Sequence, residues 1–263
     1  MNGHEAEVVL RAQDVGMTFN PDAAAPVNAI ADIGFELHKG EVVAIVGPSG
    51  CGKTTLFNII AGLLEPTQGK IQVNGKQVHQ ATGHVGYMLQ KDLLLPWRTV
   101  LDNVIIGLQV RKMPRKDAET IARTLIEAYG LKDFEDSYPS ALSGGMRQRV
   151  AFMRTLAFSP DVILLDEPFS ALDSQTRLVL QADMARIIRE RNCSVVLVTH
   201  DVGEAITMAD RIVVITSRPG RVKAVHTVGI DADLRHPMKI RKQQRFTELY
   251  ETIWAELGVD IAA

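Results

Sequence analysis

The sequence predicts an α/β fold, a parallel sheet covered by helices, and three observations carry that prediction. Four short runs, Val42–Val46, 162–165, 195–198 and 212–215, are apolar at every position and rich in β-branched residues. Runs that are apolar on both faces suit strands buried on both sides. Helical patterns separate them: 54–64, ending at Glu65-Pro66; 147–158, ending at Ser159-Pro160; and 174–191, with its charge on one face. Finally, a glycine-rich turn joins the first apolar run directly to a helix, the order expected of an α/β unit.

Taken in order, the N-terminal part reads differently from the rest. Val8-Val9-Leu10, Phe35-Glu36-Leu37 and Lys70-Ile71-Gln72-Val73 are expected to be short antiparallel strands, and Asn74-Gly75 is a hairpin turn signal. The alanine-rich stretch 22–26 is expected to be a surface loop. From about Leu93 to Leu156 the pattern is helical, with no buried-strand run, so it interrupts the α/β core. Residues 238–257 carry Phe246, Leu249, Tyr250, Ile253, Trp254 and Leu257 at helical spacing, an amphipathic helix. That helix either packs on the core or docks a partner. The expected division is a main domain over 8–230, with a helical subdomain at about 91–158, and a C-terminal helix and tail over 231–263.

Composition limits the functions available. With 263 residues the chain can bury a large core. Its 46% apolar and 23% charged content is ordinary for a globular protein, and a net charge of −2 gives no basic bias toward nucleic acid. The two cysteines, Cys51 and Cys193, form no metal or disulfide pattern, and read as reduced thiols. The first seven residues are acidic, without the apolar stretch of a secretory leader. No run approaches the ~20 apolar residues needed to span a bilayer. With the sequence ending at Ala263, no appended regulatory domain is expected.

The turn after the first strand is Gly47-Pro48-Ser49-Gly50-Cys51-Gly52-Lys53-Thr54. Its glycines let backbone N–H groups close around an anion, and the following helix adds its positive end. In such a loop Lys53 bridges the β- and γ-phosphates and Thr54 ligates Mg²⁺. Cys51 reads as a tolerated small residue rather than a nucleophile. Further on, Asp166 ends an apolar strand, where it can hold Mg²⁺. Glu167 follows it, where a carboxylate can polarise a water in line with the γ-phosphate.

A narrower pattern lies upstream of that strand: Leu142-Ser143-Gly144-Gly145-Met146-Arg147-Gln148-Arg149. Together with the phosphate loop and Val162-Ile163-Leu164-Leu165-Asp166-Glu167-Pro168, this order resembles the nucleotide-binding subunit of an ABC transporter, over most of the chain from about Val8 to Pro219. The resemblance implies a P-loop NTPase core of the ABC ATPase type, with an N-terminal antiparallel β subdomain and an inserted helical subdomain. It also implies ATP and Mg²⁺ as cofactors.

The resemblance implies further roles. Glu167 matches the general base. His200, which alone would read as structural, matches the switch histidine at the γ-phosphate. Gln90 matches the glutamine that reaches Mg²⁺ and the water, with Leu89 before it where Phe is common. Thr55 matches an α-phosphate contact. Ser143, Gly144 and Gly145 open a helix near Met146, a second anion site; in the family it caps the γ-phosphate held by a second, head-to-tail copy. Asp173, in Ser170-Ala171-Leu172-Asp173, matches a loop that links the two sites, and is equally suited to cap a helix. Phe19 matches the aromatic that stacks on adenine, or is a core residue.

The segment Leu94-Leu95-Pro96-Trp97-Arg98-Thr99-Val100-Leu101-Asp102-Asn103-Val104 resembles the ATPases of nitrate/sulfonate/taurine importers. The apolar run with its Trp, from Leu93 to Val104, suits a docking groove for a helix of a separate transmembrane permease, or plain subdomain packing. The implied function is ATP hydrolysis powering uptake of a small polar solute, delivered by a solute-binding protein. The implied location is peripheral, on the cytoplasmic face of the membrane. A soluble ABC ATPase without a permease is the alternative. A P-loop kinase or GTPase would leave the Leu142-Ser143-Gly144-Gly145 segment unexplained.

Overall fold

The computed structural model describes residues 7–258 apart from 24 and 82, and the backbone alone of Ala232. The leader and chain-end readings at residues 1–6 and 259–263 lie outside this range. Two sheets form the frame. One is antiparallel, with β1 (Val8–Phe19), β2 (Val27–His38), β4 (Gln68–Val73) and β5 (Lys76–Gln77) in the order β2-β1-β4-β5. The other has six strands: β3 (Val42–Val46), β6 (Val85–Met88), β7 (Val162–Asp166), β8 (Val195–Thr199), β9 (Arg211–Ile215) and β10 (Val222–Thr227). Their order is β10-β9-β3-β8-β7-β6, parallel except for β10.

The four apolar runs are the four central strands, and their continuous apolarity has a direct cause. Side chains alternate across a sheet. Ala44, Ile163, Leu197 and Ile212 join the core on one face, while Ile45, Leu164, Val196 and Val213 join the core on the other. Each of the fully buried Val, Leu and Ile side chains among them contributes roughly 1.5–3 kcal/mol. The first face carries α2 (Val100–Val104), α3 (Ile106–Val110), α4 (Arg115–Ala128), α5 (Gly144–Leu156), α6 (Ser174–Glu190), α7 (Val202–Met208) and α8 (Gln244–Glu256). The second carries α1 (Lys53–Ile60) and the antiparallel sheet.

The structure corrects several boundaries. Strands β1 and β2 are twelve residues each, not short. Register shifts within the β1–β2 pairing, with Asp14 at φ 49°, let β1 continue through its polar middle. Helix α1 stops at Ile60 rather than Leu64, because the amides of Gly62 and Leu63 fold back onto the carbonyls of Ile59 and Asn58. Helix α5 begins at Gly144 rather than Met146, capped by the Ser143 hydroxyl, and ends at Leu156 rather than Phe158. Helix α8 begins at Gln244 rather than Met238. Its Phe246, Leu249 and Ile253 are buried in the main core, so this helix packs rather than stands free.

Other expectations match. Asn74 and Gly75 form the β4–β5 turn, both with positive φ, 49° and 73°. No strand lies between β6 and β7, which leaves the helical interruption intact. The described residues of the 22–26 stretch are exposed.

Candidate functional site

Strand register assembles the site. In the parallel ladder Val46 pairs with Thr199, Asp166 with Val198 and Met88 with Leu165. The residues that follow these strand ends therefore emerge along one edge: Gly47 after β3, Gln90 after β6, Glu167 after β7 and His200 after β8. Ligand sites of open α/β sheets lie at this carboxyl edge.

The phosphate loop spans β3 and α1. Gly52 caps α1 at φ 103°, and a Cβ there would lie 2.3 Å from Ile30 Cγ2, so only glycine fits. Lys53 is buried, its ammonium donating to the carbonyls of Gly47 at 2.7 Å and Pro48 at 3.0 Å. Cys51 is buried in the core with its sulfur 3.7 Å from Lys53 Nζ, the place of a space-filling residue. A crevice of about 260 Å³ is lined by Phe19, Ser49, Gly50, Gly52, Lys53, Thr54, Thr55 and Glu167. Phe19 stands at its rim, at the end of β1.

The acidic side of the site is a connected network. His200 Nδ1 lies 3.1 Å from Glu167 Oε2, and Gln90 Nε2 donates to the same oxygen at 3.3 Å and to Ser170 Oγ at 3.2 Å. Glu167 has φ 45°, and its amide donates to Val198 O at 2.9 Å. Such a conformation costs on the order of 1–3 kcal/mol, and here it turns the carboxylate toward Gln90 and His200. Asp166 is buried and accepts from the Tyr87 hydroxyl at 3.3 Å. Burial pushes its carboxyl above the usual range; the Tyr87 bond opposes this, Glu167 adds to it and Lys53 again opposes it.

The donor set fits a hard divalent cation. Thr54 Oγ, Asp166 and the amide oxygen of Gln90 are all oxygens, as Mg²⁺ requires. Gln90 uses its nitrogen on Glu167 and Ser170, which leaves its oxygen for another partner.

Ser143 and Gly145 lie elsewhere, in a crevice of about 250 Å³ with Gln175 and Thr176, and this crevice shares no residue with the phosphate-loop crevice. Gly144 opens the same helix. Asp173 accepts from the amides of Gln175 at 3.1 Å and Thr176 at 3.0 Å, the helix-cap alternative. A larger crevice of about 420 Å³ around Ser194 and Asp161 contains none of these residues.

The 93–104 segment divides. Leu94, Val100, Leu101 and Val104 are buried in the core, while Leu93 and Trp97 are exposed, Trp97 at 71%. Pro96 is exposed between those two, so a partner reaches the 93–97 end of the run and the expected groove is narrower than the whole of it.

Sequence reasoning passed over Tyr87, Ser170, Arg218 and the buried Glu204. Ser170 bonds Gln90, Arg218 lines the phosphate-loop crevice, and Tyr87 bonds Asp166. Alternation along β6 placed Tyr87 on the face opposite Met88, a signal that gave no partner.

Fold and loop together define a P-loop nucleotide-binding protein. Residues 30–170 match the family described as ABC transporter. The chain is 39% identical to the taurine import ATP-binding protein TauB of Jannaschia sp., over 93% of this chain and 92% of that one. It is 44% identical to the ABC transporter ATP-binding protein YtlC of Bacillus subtilis, over 88% of each. The dimeric post-hydrolysis structure of the ATP-binding cassette MJ0796, bound to ADP and Pi, superposes with a TM-score of 0.73 at 29% identity, covering 84% of this chain and all of that one. The chain belongs to the ABC transporter family, as an ATP-binding subunit with ATPase activity. No helix among the described residues is long and apolar enough to cross a membrane.

Proposed function

We propose that two copies of this chain power a bacterial importer of a small polar solute of the nitrate, sulfonate or taurine kind. One observation carries the reading. The phosphate loop and the Gln90–Glu167–His200 network share one edge, while Ser143 and Gly145 open onto a separate crevice of the same chain. Two half-sites that do not meet within one chain are completed by a head-to-tail pair, and the MJ0796 cassette that resembles this chain is a dimer.

In this reading Gly47, Pro48, Ser49, Gly50, Cys51, Gly52 and Lys53 cradle the phosphates, Thr55 contacts the α-phosphate and Phe19 stacks on adenine. Thr54, Gln90 and Asp166 would hold Mg²⁺, which when bound neutralises phosphate charge. Ser143, Gly144 and Gly145 of one copy cap the nucleotide on the other, and Asp173 lies in the loop between the two sites. Glu167 takes a proton from the attacking water as oxygen bonds to the γ-phosphorus and the bond to ADP breaks. His200 and Gln90 hold that carboxylate in place. Residues 8–230 form the ATPase domain and 231–263 its C-terminal helix and tail. The exposed Leu93 and Trp97 receive a permease helix at the cytoplasmic face of the membrane. A solute-binding protein acts with the permease. Taurine import by relatives that align over nine-tenths of the chain supports this direction and solute class.

Purification from native membranes in mild detergent tests it. A multi-span membrane protein and a solute-binding protein are expected to co-purify, and the latter to bind taurine, an alkanesulfonate or nitrate. Recovery of soluble proteins or nucleic acid alone would favour a soluble ABC ATPase.

A further inference from the structure

Two arginines leave the turn between β9 and β10, and they meet different fates. Arg221 is ion-paired with Asp32. Arg218 lines the phosphate-loop crevice with Lys53, Thr54 and Phe19, and among the described residues its guanidinium has no hydrogen-bond or ion-pair partner. Its Nη2 lies over Gly50, 4.0 Å from where a Cβ on that residue would stand.

The turn that carries Arg218 is fastened. The Gly220 amide donates to Ala29 O at 3.0 Å, and its carbonyl accepts from the Ala31 amide at 2.9 Å, which ties the turn to β2. The Thr216 hydroxyl accepts from the Arg221 amide at 3.0 Å and donates across the turn to Pro219 O at 3.2 Å. A Cβ at residue 220 would lie 2.1 Å from the carbonyl oxygen of Cys51, so backbone rests on backbone there and only glycine fits. The base of Arg218 is thereby set against the phosphate loop, and the loop's own carboxylate neighbour, Glu167, is engaged by Gln90 and His200.

We propose that Arg218 is a further nucleotide-binding residue, held by this turn so that its guanidinium contacts the phosphate chain at the open side of the loop. The planar donors of arginine match phosphate oxygens. The proposal rests on the reading of this crevice as the ATP site.

Equilibrium titration of the full chain with ATP, ADP and adenosine tests it, on wild type, Arg218→Ala, Arg218→Lys and Lys53→Ala. Arg218→Ala is expected to weaken ATP and ADP binding about tenfold, as for loss of a charge-assisted hydrogen bond. Adenosine affinity stays unchanged, the deficit shrinks as salt rises, and Arg218→Lys recovers part of the loss. Wild-type ATP affinity in Arg218→Ala, with Lys53→Ala impaired, overturns the proposal and leaves the ATP site standing. Wild-type affinity in both variants overturns the site itself. Equal losses for ATP and adenosine overturn the phosphate contact, since they place the effect on the base or on the turn. A deficit confined to protein concentrations at which sizing shows a dimer also overturns it, and assigns Arg218 to the second copy.

Discussion

His200 and Glu167 meet at 3.1 Å, Nδ1 to Oε2, across the ends of two paired strands. A carboxylate accepts, so this bond takes the proton on Nδ1, and in the neutral ring that tautomer makes Nε2 an acceptor. The ring thereby orients Glu167 while its other nitrogen stays available on the exposed side. Gln90 shares the same carboxylate oxygen, so the group is restrained from two sides.

Glu167→Gln keeps the shape of this network and removes its base. Turnover is expected to fall by about 10²–10⁴-fold, the range for loss of a general base, with ATP affinity close to wild type. Phosphate release and nucleotide titration on the same preparation check both halves. Undiminished turnover would remove Glu167 from the chemistry.

Ser143→Arg places a long cation where the proposed second copy must close. It is expected to spare nucleotide binding by the single chain and to abolish ATP-dependent dimerisation, read by sizing in the Glu167→Gln background. Losing the Ser143 cap on α5 also lowers stability by about 1 kcal/mol. Dimerisation that survives would remove the Ser143 crevice from the interface.

Glu204 is buried on α7 with Oε1 unpartnered, and its pKa is pushed from 4.5 to about 8, first by burial and then by Asp201 and Glu167, against Thr199 and Arg177. The folded chain thus keeps a proton that the unfolded chain releases. Stability is expected to fall as pH rises from about 4.5, with the loss complete above about 8. Its size is a few kcal/mol at most. Glu204→Gln, neutral throughout, flattens that slope and is more stable than wild type at pH 8.5. Urea midpoints at pH 5.5 and 8.5 measure the difference; parallel slopes would contradict it.

Phe152 is fully buried in α5 and meets Tyr129 edge to face, with ring centroids 5.9 Å apart at 71°. Phe152→Ala is expected to cost about 3–5 kcal/mol, seen as a lower denaturation midpoint. Because α5 carries the Ser143 crevice and not the phosphate loop, ATP-dependent pairing weakens more than nucleotide binding by the folded chain does.

Much of this molecule was legible beforehand because its signals are local. An apolar run such as Val42–Val46 declares a buried strand through its own residues, and the loop from Gly47 to Thr54 carries its chemistry in consecutive positions. The long β1 was not legible, since register shifts against its partner carry it past Asp14. Nor was Tyr87's bond to Asp166, which joins residues 79 positions apart.

By itself the sequence determined the α/β order, the phosphate loop, and the helix that Ser143 opens, all properties of neighbouring residues. Only the tertiary structure decided that Gln90, Glu167 and His200 meet, that Leu94, Val100, Leu101 and Val104 of the 93–104 segment are core, and that Arg218 reaches the phosphate loop while Arg221 does not. These follow from strand register and from close backbone packing, which depend on which distant segments pair. That choice is made by the collapse of two cores on opposite faces of one sheet, and no short stretch of chain encodes it alone.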